Sequence, residues 1–302
     1  MQLSLGPVPF YWTRERYAAF YRDAADWPLE LVYLGETVCS RRRDMKLDDW
    51  LGIGRELCES GKQVVLSSQT LIESEADLRG LRKLCANGEF LVEASDHSAL
   101  QLVTEAGLPF VAGPALNLYN LASLKLLSRR GLARWCMPVE MSRDDLGTLL
   151  GEARSAGLDT PCEVFAYGHL PLAWSARCFT ARHHDLPKDR CQFVCQQYPE
   201  GLPLRSQESR EVFTLNGIQT LSGACHDLRH ELADMQRLGV AVARLGPRAE
   251  GMAEIVQAFD QARRGELPAR DPLALVDAEA CAGYWYGRPG MDAVQAEAGR
   301  LG

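Results

Sequence analysis

Short, continuously apolar runs recur along the chain at a fairly even spacing, each followed by a stretch with helical periodicity. This alternation restricts the fold more than any other feature. The runs cover residues 3–5, 31–35, 64–67, 90–93, 110–112, 135–139, 163–167 and 240–245. They do not alternate apolar with polar, as half-exposed strands would, so they read as strands covered on both sides. Helical stretches are expected over 14–25, 48–60, 73–85, 98–106, 118–130 and 142–156. Thr13 and Ser142 stand where a helix N-cap is wanted, and Gly61, Gly107, Gly131 and Gly157 where helices stop. Eight strands alternating with helices give an α/β chain, a (β/α)8 TIM-like barrel, with an open doubly wound sheet as the rival. The even period and the absence of a composition shift favour one barrel domain over 1–302. No Gly-x-Gly-x-x-Gly follows the first strand, so a dinucleotide fingerprint is missing.

The even period breaks once. Residues 168–225 form a cysteine-bearing insert between strands seven and eight, too long for an ordinary barrel loop. Residues 268–302, with the cluster Tyr284-Trp285-Tyr286, are expected to be a tail that packs back on the barrel, the aromatics serving packing.

Composition sets the class of partner. The formal charge is −7, so the chain lacks the basic footprint of a nucleic-acid binder, and no nucleic acid is expected. No run reaches the roughly 18 apolar residues of a membrane-crossing helix. The opening residues lack a basic region followed by a long apolar stretch, and a cytoplasmic location is expected. In such a reducing compartment ten cysteines are a surplus that implies buried thiols, a metal site or redox chemistry.

Cys58, Cys85, Cys136 and Cys162 read as small hydrophobes. Cys191 and Cys195 differ: four apart in a helix, two thiols face the same way. With Cys178 they place three thiols in one region, which suggests a shared metal, zinc or an iron–sulfur cluster. A fourth ligand is expected from Cys39, just past the second strand, or from Cys225. Arg41, Arg42, Arg43, Arg177, Arg182 and Arg190 surround these cysteines in sequence and would favour thiolates, although three successive arginines are also what a solvated loop carries. His226 and His230, if on one helix face, offer a small zinc site with Cys225 instead.

Glu36, Ser68, Gln69, Glu93, Asn117, Glu140, Glu163 and Arg244 lie in or near the strands, where barrel enzymes gather active-site groups at strand C-termini. Glu36, Glu93, Asn117, Glu163 and Arg244 are the candidate catalytic set. Glu36, Glu163 and Arg244 are expected beside the cysteines, and Glu93 and Asn117 across the mouth. Strand-end capping and ion pairing are the alternative use of the same residues.

The motifs Leu34-Gly35-Glu36-Thr37-Val38-Cys39-Ser40-Arg41-Arg42, Ala115-Leu116-Asn117-Leu118-Tyr119-Asn120, Met137-Pro138-Val139-Glu140, Glu163-Val164-Phe165-Ala166-Tyr167-Gly168, Ser175-Ala176-Arg177-Cys178, Cys191-x-x-x-Cys195 and Cys281-Ala282-Gly283-Tyr284-Trp285 span nearly the whole chain. Together they make it resemble the U32 "peptidase" family. It is similar to a branch that works in oxygen-independent ubiquinone biosynthesis. The resemblance implies a (β/α)8-like fold and a [4Fe-4S] cluster on Cys39, Cys178, Cys191 and Cys195. It implies a heterodimer with a UbiU-like paralogue, with lipid-carrier and other ubiquinone-biosynthesis proteins as further partners. It implies ring hydroxylation with a small oxygen donor such as prephenate. Other branches take part in RNA hydroxylation. Protease motifs such as His-Glu-x-x-His and Gly-x-Ser-x-Gly are missing. Typical members carry a His-Gly-Ala-Leu-Cys type run after the seventh strand. Here it reads Tyr167-Gly168-His169-Leu170-Pro171, and Pro171 cannot ligate iron. That makes Cys39 necessary, leaves Cys225 as the rival of Cys195, and removes a candidate acid or base at Tyr167.

Overall fold

The computed structural model describes residues 1–266 and 280–292. Eight parallel strands close on themselves: β1 (Gln2–Leu5), β2 (Leu31–Leu34), β3 (Gln63–Ser67), β4 (Leu91–Ala94), β5 (Phe110–Ala112), β6 (Leu132–Cys136), the first part of β7 (Cys162–Trp174) and β11 (Val242–Leu245). Each pairs with its sequence neighbour, and β11 pairs with both β1 and β7, which shuts the barrel. The open-sheet alternative is therefore excluded. Helices α1 (Arg14–Ala24), α2 (Leu47–Glu59), α3 (Glu75–Cys85), α4 (His97–Glu105), α5 (Leu121–Ser128) and α6 (Arg143–Ser155) cross over between consecutive strands. No helix among the described residues is long and apolar enough to cross a membrane.

The helices begin where side chains supply acceptors. Thr13, Ser74, Asp96, Asn120 and Ser142 each take an orphan backbone N–H of the first turn. The stretch expected to be helical over 118–130 starts only at Leu121, because Asn117 takes a left-handed backbone and Asn120 is the cap. Gly35 ends β2 at φ +133°, where a Cβ would stand 2.6 Å from the Ser67 carbonyl oxygen. Only glycine lets the chain turn so close to β3 before the Glu36–Cys39 loop.

Side chains alternate along each barrel strand. Leu3 and Leu5, Val32 and Leu34, Val92 and Ala94, Ala243 and Leu245 pack outward into the core under the helices. Tyr33, Val65 and Val111 face inward as a small apolar cluster. The inward positions between the outer ones are polar on several strands, and a charged network fills them. Glu163 on β7 accepts from Arg244 Nη2 at 3.0 Å, Arg244 Nε at 3.1 Å and Arg134 Nε at 3.2 Å, and from the Ser4 and Tyr33 hydroxyls. Arg244 Nη1 donates to Glu93 at 2.7 Å, which also accepts from Ser67. The Arg244 guanidinium lies 4.0 Å from the Tyr33 ring centroid. Glu93, Arg134, Glu163 and Arg244 are all buried. Two guanidinium groups against two carboxylates balance the charge inside the barrel.

Between the seventh and eighth barrel strands the chain is more regular than the sequence suggested. β7 runs on past the barrel to Trp174 and pairs antiparallel with β10 (Gln219–Asp227). β10 pairs with β9 (Glu211–Asn216), and β9 with β8 (Leu202–Arg205). The Asn216-Gly217 pair, with Gly217 at φ +64°, is the local signal for this hairpin. Helix α7 (Phe179–His183) and two 3₁₀ turns lie between β7 and β8. Helix α8 (Leu232–Leu238) precedes β11, and α9 (Met252–Arg263) follows it. Of the C-terminal stretch, 267–279 and 293–302 lie outside the described residues. The part between has β12 (Ala280–Cys281) pairing with β10, and of its three aromatics Trp285 is buried while Tyr284 and Tyr286 are half-buried.

Burial alone would raise the Glu163 carboxyl, but Arg244, Arg134 and Ser4 outweigh it and hold it below the usual carboxylate range. A depressed folded value means the stabilisation is complete above the unfolded pKa of about 4.3 and is lost as pH falls through the lower folded value. Glu163→Ala takes the carboxylate from buried Arg134 and leaves Arg244 with Glu93 alone. Urea unfolding at neutral pH should show a loss of about 3–5 kcal/mol. Part of the native chain's acid-limb destabilisation should vanish in the variant. A loss below about 1 kcal/mol would mean that the network does not hold the barrel together.

Candidate functional site

Cys39 lies beyond the C-terminal end of β2, in a loop that Glu36 organises. Glu36 Oε1 accepts the Val38 and Cys39 amides at 2.8 and 2.9 Å. Arg42 stands 3.7 Å from the same oxygen. Glu36 thus acts on the cysteine loop and takes no part in the interior network. Arg41 donates to the Asp189 carbonyl at 2.7 Å. Arg42 is buried, donating to the Pro9 carbonyl and to Asn216 Oδ1, each at 2.7 Å. Of the three successive arginines only Arg43 is exposed, so a wholly solvated row is not what forms.

Two barrel strands, β1 and β11, separate β2 from β7 around the ring. The chain after β7 nevertheless reaches the β2 loop, tied there by Arg41 to Asp189 and Gln196 to Asp44, and to the loop after β3 by Lys188 to Glu73. Cys39, Cys178, Cys191 and Cys195 thereby line one small pocket, with Arg41, Arg42 and Lys188 in its wall. Cys178 caps α7, its sulfur accepting the Ala181 amide at 3.4 Å. Cys191 and Cys195 do not share a helix. Gln192 and Phe193 between them have φ of 50° and 54°, a left-handed step that no α-helix passes through, and the chain curls so that both thiols reach the pocket.

Burial pushes the Cys39 thiol up, against the pull of the Arg41 amide and the Arg42 charge. Burial also raises Cys195, opposed by the charge and hydrogen bond of Arg42. Cys39 and Cys195 each feel Cys178 electrostatically, as neighbours in one pocket do. Among the described residues no three His, Cys, Asp or Glu side chains are drawn up around a single metal ion. The four thiols border one pocket, with the buried Arg42 guanidinium beside them to offset negative charge. Four thiolates are the donor set that zinc and an iron–sulfur cluster both accept.

Cys225 lies elsewhere, fully buried on β10 opposite His169, its thiol raised to about 11 chiefly by burial. His226 is on the same strand and not on a helix. His230 sits in a 3₁₀ turn, so the two do not form the helical zinc pair. Burial lowers His226 to about 4. Cys85, Cys136 and Cys162 are buried as small hydrophobes, whereas Cys58 is exposed on α2.

Of the three carboxylate and guanidinium residues expected beside the cysteines, only Glu36 reaches them, because Glu163 and Arg244 point into the barrel interior and neither lines the thiol pocket. Glu93 and Arg244 are directly bonded, so Glu93, Glu163 and Arg244 form one interior group and do not face each other across the mouth. Asn117 is exposed and borders a separate cleft with Tyr119 and Glu140. Ser68 is a structural cap, accepting the Ser95 amide at 2.9 Å. The sequence reading missed Tyr33 and Arg134. Arg134 carried a signal, a charge set one residue before an apolar run. Tyr167 is fully buried against Phe259, away from the mouth cavity.

Fold and site together define a closed parallel barrel with a four-cysteine pocket at its C-terminal face. The family model of Peptidase family U32 matches residues 12–273, and the chain belongs to that family. Among solved structures it is similar to tryptophan synthase from M. tuberculosis in its aminoacrylate- and BRD0059-bound form (12% identity, TM-score 0.44, covering 87% of this chain and 88% of that one). It is also similar to dihydropteroate synthase from Thermus thermophilus (11% identity, TM-score 0.40, 86% and 93%). Neither likeness bears on chemistry, and the barrel rests on the strand pairings themselves.

Glu36→Ala removes the acceptor of two loop amides. Hydrogen exchange should speed selectively at Val38 and Cys39, with a stability loss of about 1–2 kcal/mol. Unchanged protection at both amides would show that Glu36 does not organise the cysteine loop.

Proposed function

We propose that the chain holds a [4Fe-4S] cluster on Cys39, Cys178, Cys191 and Cys195. In this reading it is the UbiV-type subunit of an oxygen-independent hydroxylase that modifies the quinone-precursor ring in ubiquinone biosynthesis. The observation that carries the reading is the convergence of those four thiols, from segments well separated in sequence, on one pocket beside the buried Arg42. When bound, such a cluster supplies one-electron chemistry. The chain's own residues do the rest: Glu36 fixes the loop of Cys39, Arg42 offsets thiolate charge, and the Ala181 amide donates to the Cys178 sulfur.

A UbiU-like paralogue completes the enzyme in this reading, with prephenate as a candidate oxygen donor and lipid-carrier proteins as further partners. The burial of Tyr167, where related proteins carry His, supports giving the hydroxylation step to the partner and the electron-transfer or scaffolding role to this chain. The formal charge of −7 weighs against the RNA hydroxylation of other branches.

Anaerobic purification with the paralogue, iron and sulfide counting, and an assay for the hydroxylated ring test the reading. Cys39→Ala, Cys178→Ala, Cys191→Ala and Cys195→Ala should each lose most of the iron and the visible absorption, and Cys225→Ala should keep both. Full iron in Cys195→Ala with loss in Cys225→Ala would overturn the ligand set. Zinc in place of iron would overturn the cluster. Full turnover by the isolated chain would overturn the division of labour.

A further inference from the structure

Two hollows meet at the mouth of the barrel, and neither shares a residue with the thiol pocket. The first, about 90 Å³, lies over the strand ends and is walled largely by apolar groups, Phe10, Phe165 and Leu221 among them. A cleft of about 330 Å³ adjoins it, and Thr70, Pro114, Ala115, Pro171 and Trp174 border both.

Most polar groups on this wall are already satisfied. Glu93 is held by Arg244 and Ser67, and Arg244 by Glu93 and Glu163. His169 Nδ1 lies 2.8 Å from the Ser222 carbonyl oxygen. Two residues are not satisfied. Arg248 Nε and Nη1 are buried without a hydrogen-bond partner, and its ion-pair partner Glu200 stands 3.7 Å off, at Nη2. The Trp174 indole N–H is also buried and unbonded. A buried donor left without an acceptor is costly, and a guanidinium more so than a neutral group. Both residues border the same hollow, so the wall has surplus donors, ring faces and no free carboxylate of its own apart from Glu200 behind Arg248.

We propose that this hollow binds a small aromatic carboxylate, its ring against the apolar wall and its carboxylate accepting from Arg248, with Trp174 donating to a ligand oxygen. Ring edges of Phe10, Phe165 and Trp174 suit a flat apolar body, and a carboxylate supplies the acceptors the wall lacks. The site stands on the cavity and its unmatched donors alone and does not depend on the cluster.

Benzoate and its neutral isostere benzamide, titrated calorimetrically into the full chain, test it. Benzoate should bind saturably and about tenfold or more tighter than benzamide, the worth of one charge-assisted hydrogen bond. Arg248→Gln should abolish that preference and Arg248→Lys should retain part of it. Trp174→Phe, which keeps a ring and loses the N–H, should weaken benzoate by a smaller factor. No saturable benzoate binding, or a benzoate-to-benzamide ratio near one, would overturn the proposal even if Arg248→Gln did not fold. An Arg248→Gln chain that binds benzoate like the native one would do the same.

Discussion

The rest of the architecture depends on the charged network inside the barrel. A parallel barrel this small is filled by side chains, and apolar branched residues usually do the filling. Here Glu163 instead receives Arg134, Arg244, Ser4 and Tyr33, and Arg244 reaches on to Glu93. These groups come from six of the eight strands and fix how those strands stand to one another. A buried pair of this kind gains little over an apolar filling of the same volume, but breaking it leaves an uncompensated charge. The network therefore ties closure of the barrel to one arrangement of its strand ends.

That arrangement decides what the C-terminal face can hold. Gly35 turns the chain sharply out of β2, and Glu36 catches the next amides, so Cys39 is presented at the rim. The extension of β7 and its antiparallel partners form a platform from which the segment bearing Cys178, Cys191 and Cys195 folds back over two intervening strands. Arg42 locks the two together, bonded to the β1 loop and to Asn216 of the platform. The thiol pocket is thus a joint between barrel and platform, while the apolar mouth with Arg248 and Trp174 lies apart from it.

Much of the barrel was legible because its strands are covered on both sides and read as unbroken apolar runs between capped helices. The platform was less legible. Its strands differ from one another, β8 largely exposed and β10 largely buried, and the glycines, prolines and cysteines around them suggest irregular loops. The gathering of Cys39 with the later cysteines could be expected from spacing and resemblance, but its means could not. Left-handed backbone at Gln192 and Phe193 depends on tertiary contacts, and the sequence there suggested a helix. The pairing of Glu93 with Arg244 was hidden for a similar reason. Strand position gives the end of the barrel a residue occupies, and not which inward side chains meet across the interior.

The central claim is that four cysteines from two segments hold one cluster. Anomalous diffraction at the iron edge, on crystals of the anaerobically purified chain, tests it most directly. The account predicts iron within bonding reach of the sulfurs of Cys39, Cys178, Cys191 and Cys195, and none at Cys225. Iron bound at Cys225 in place of Cys195, or well-ordered crystals of native chain with four free thiols and no metal, would contradict it.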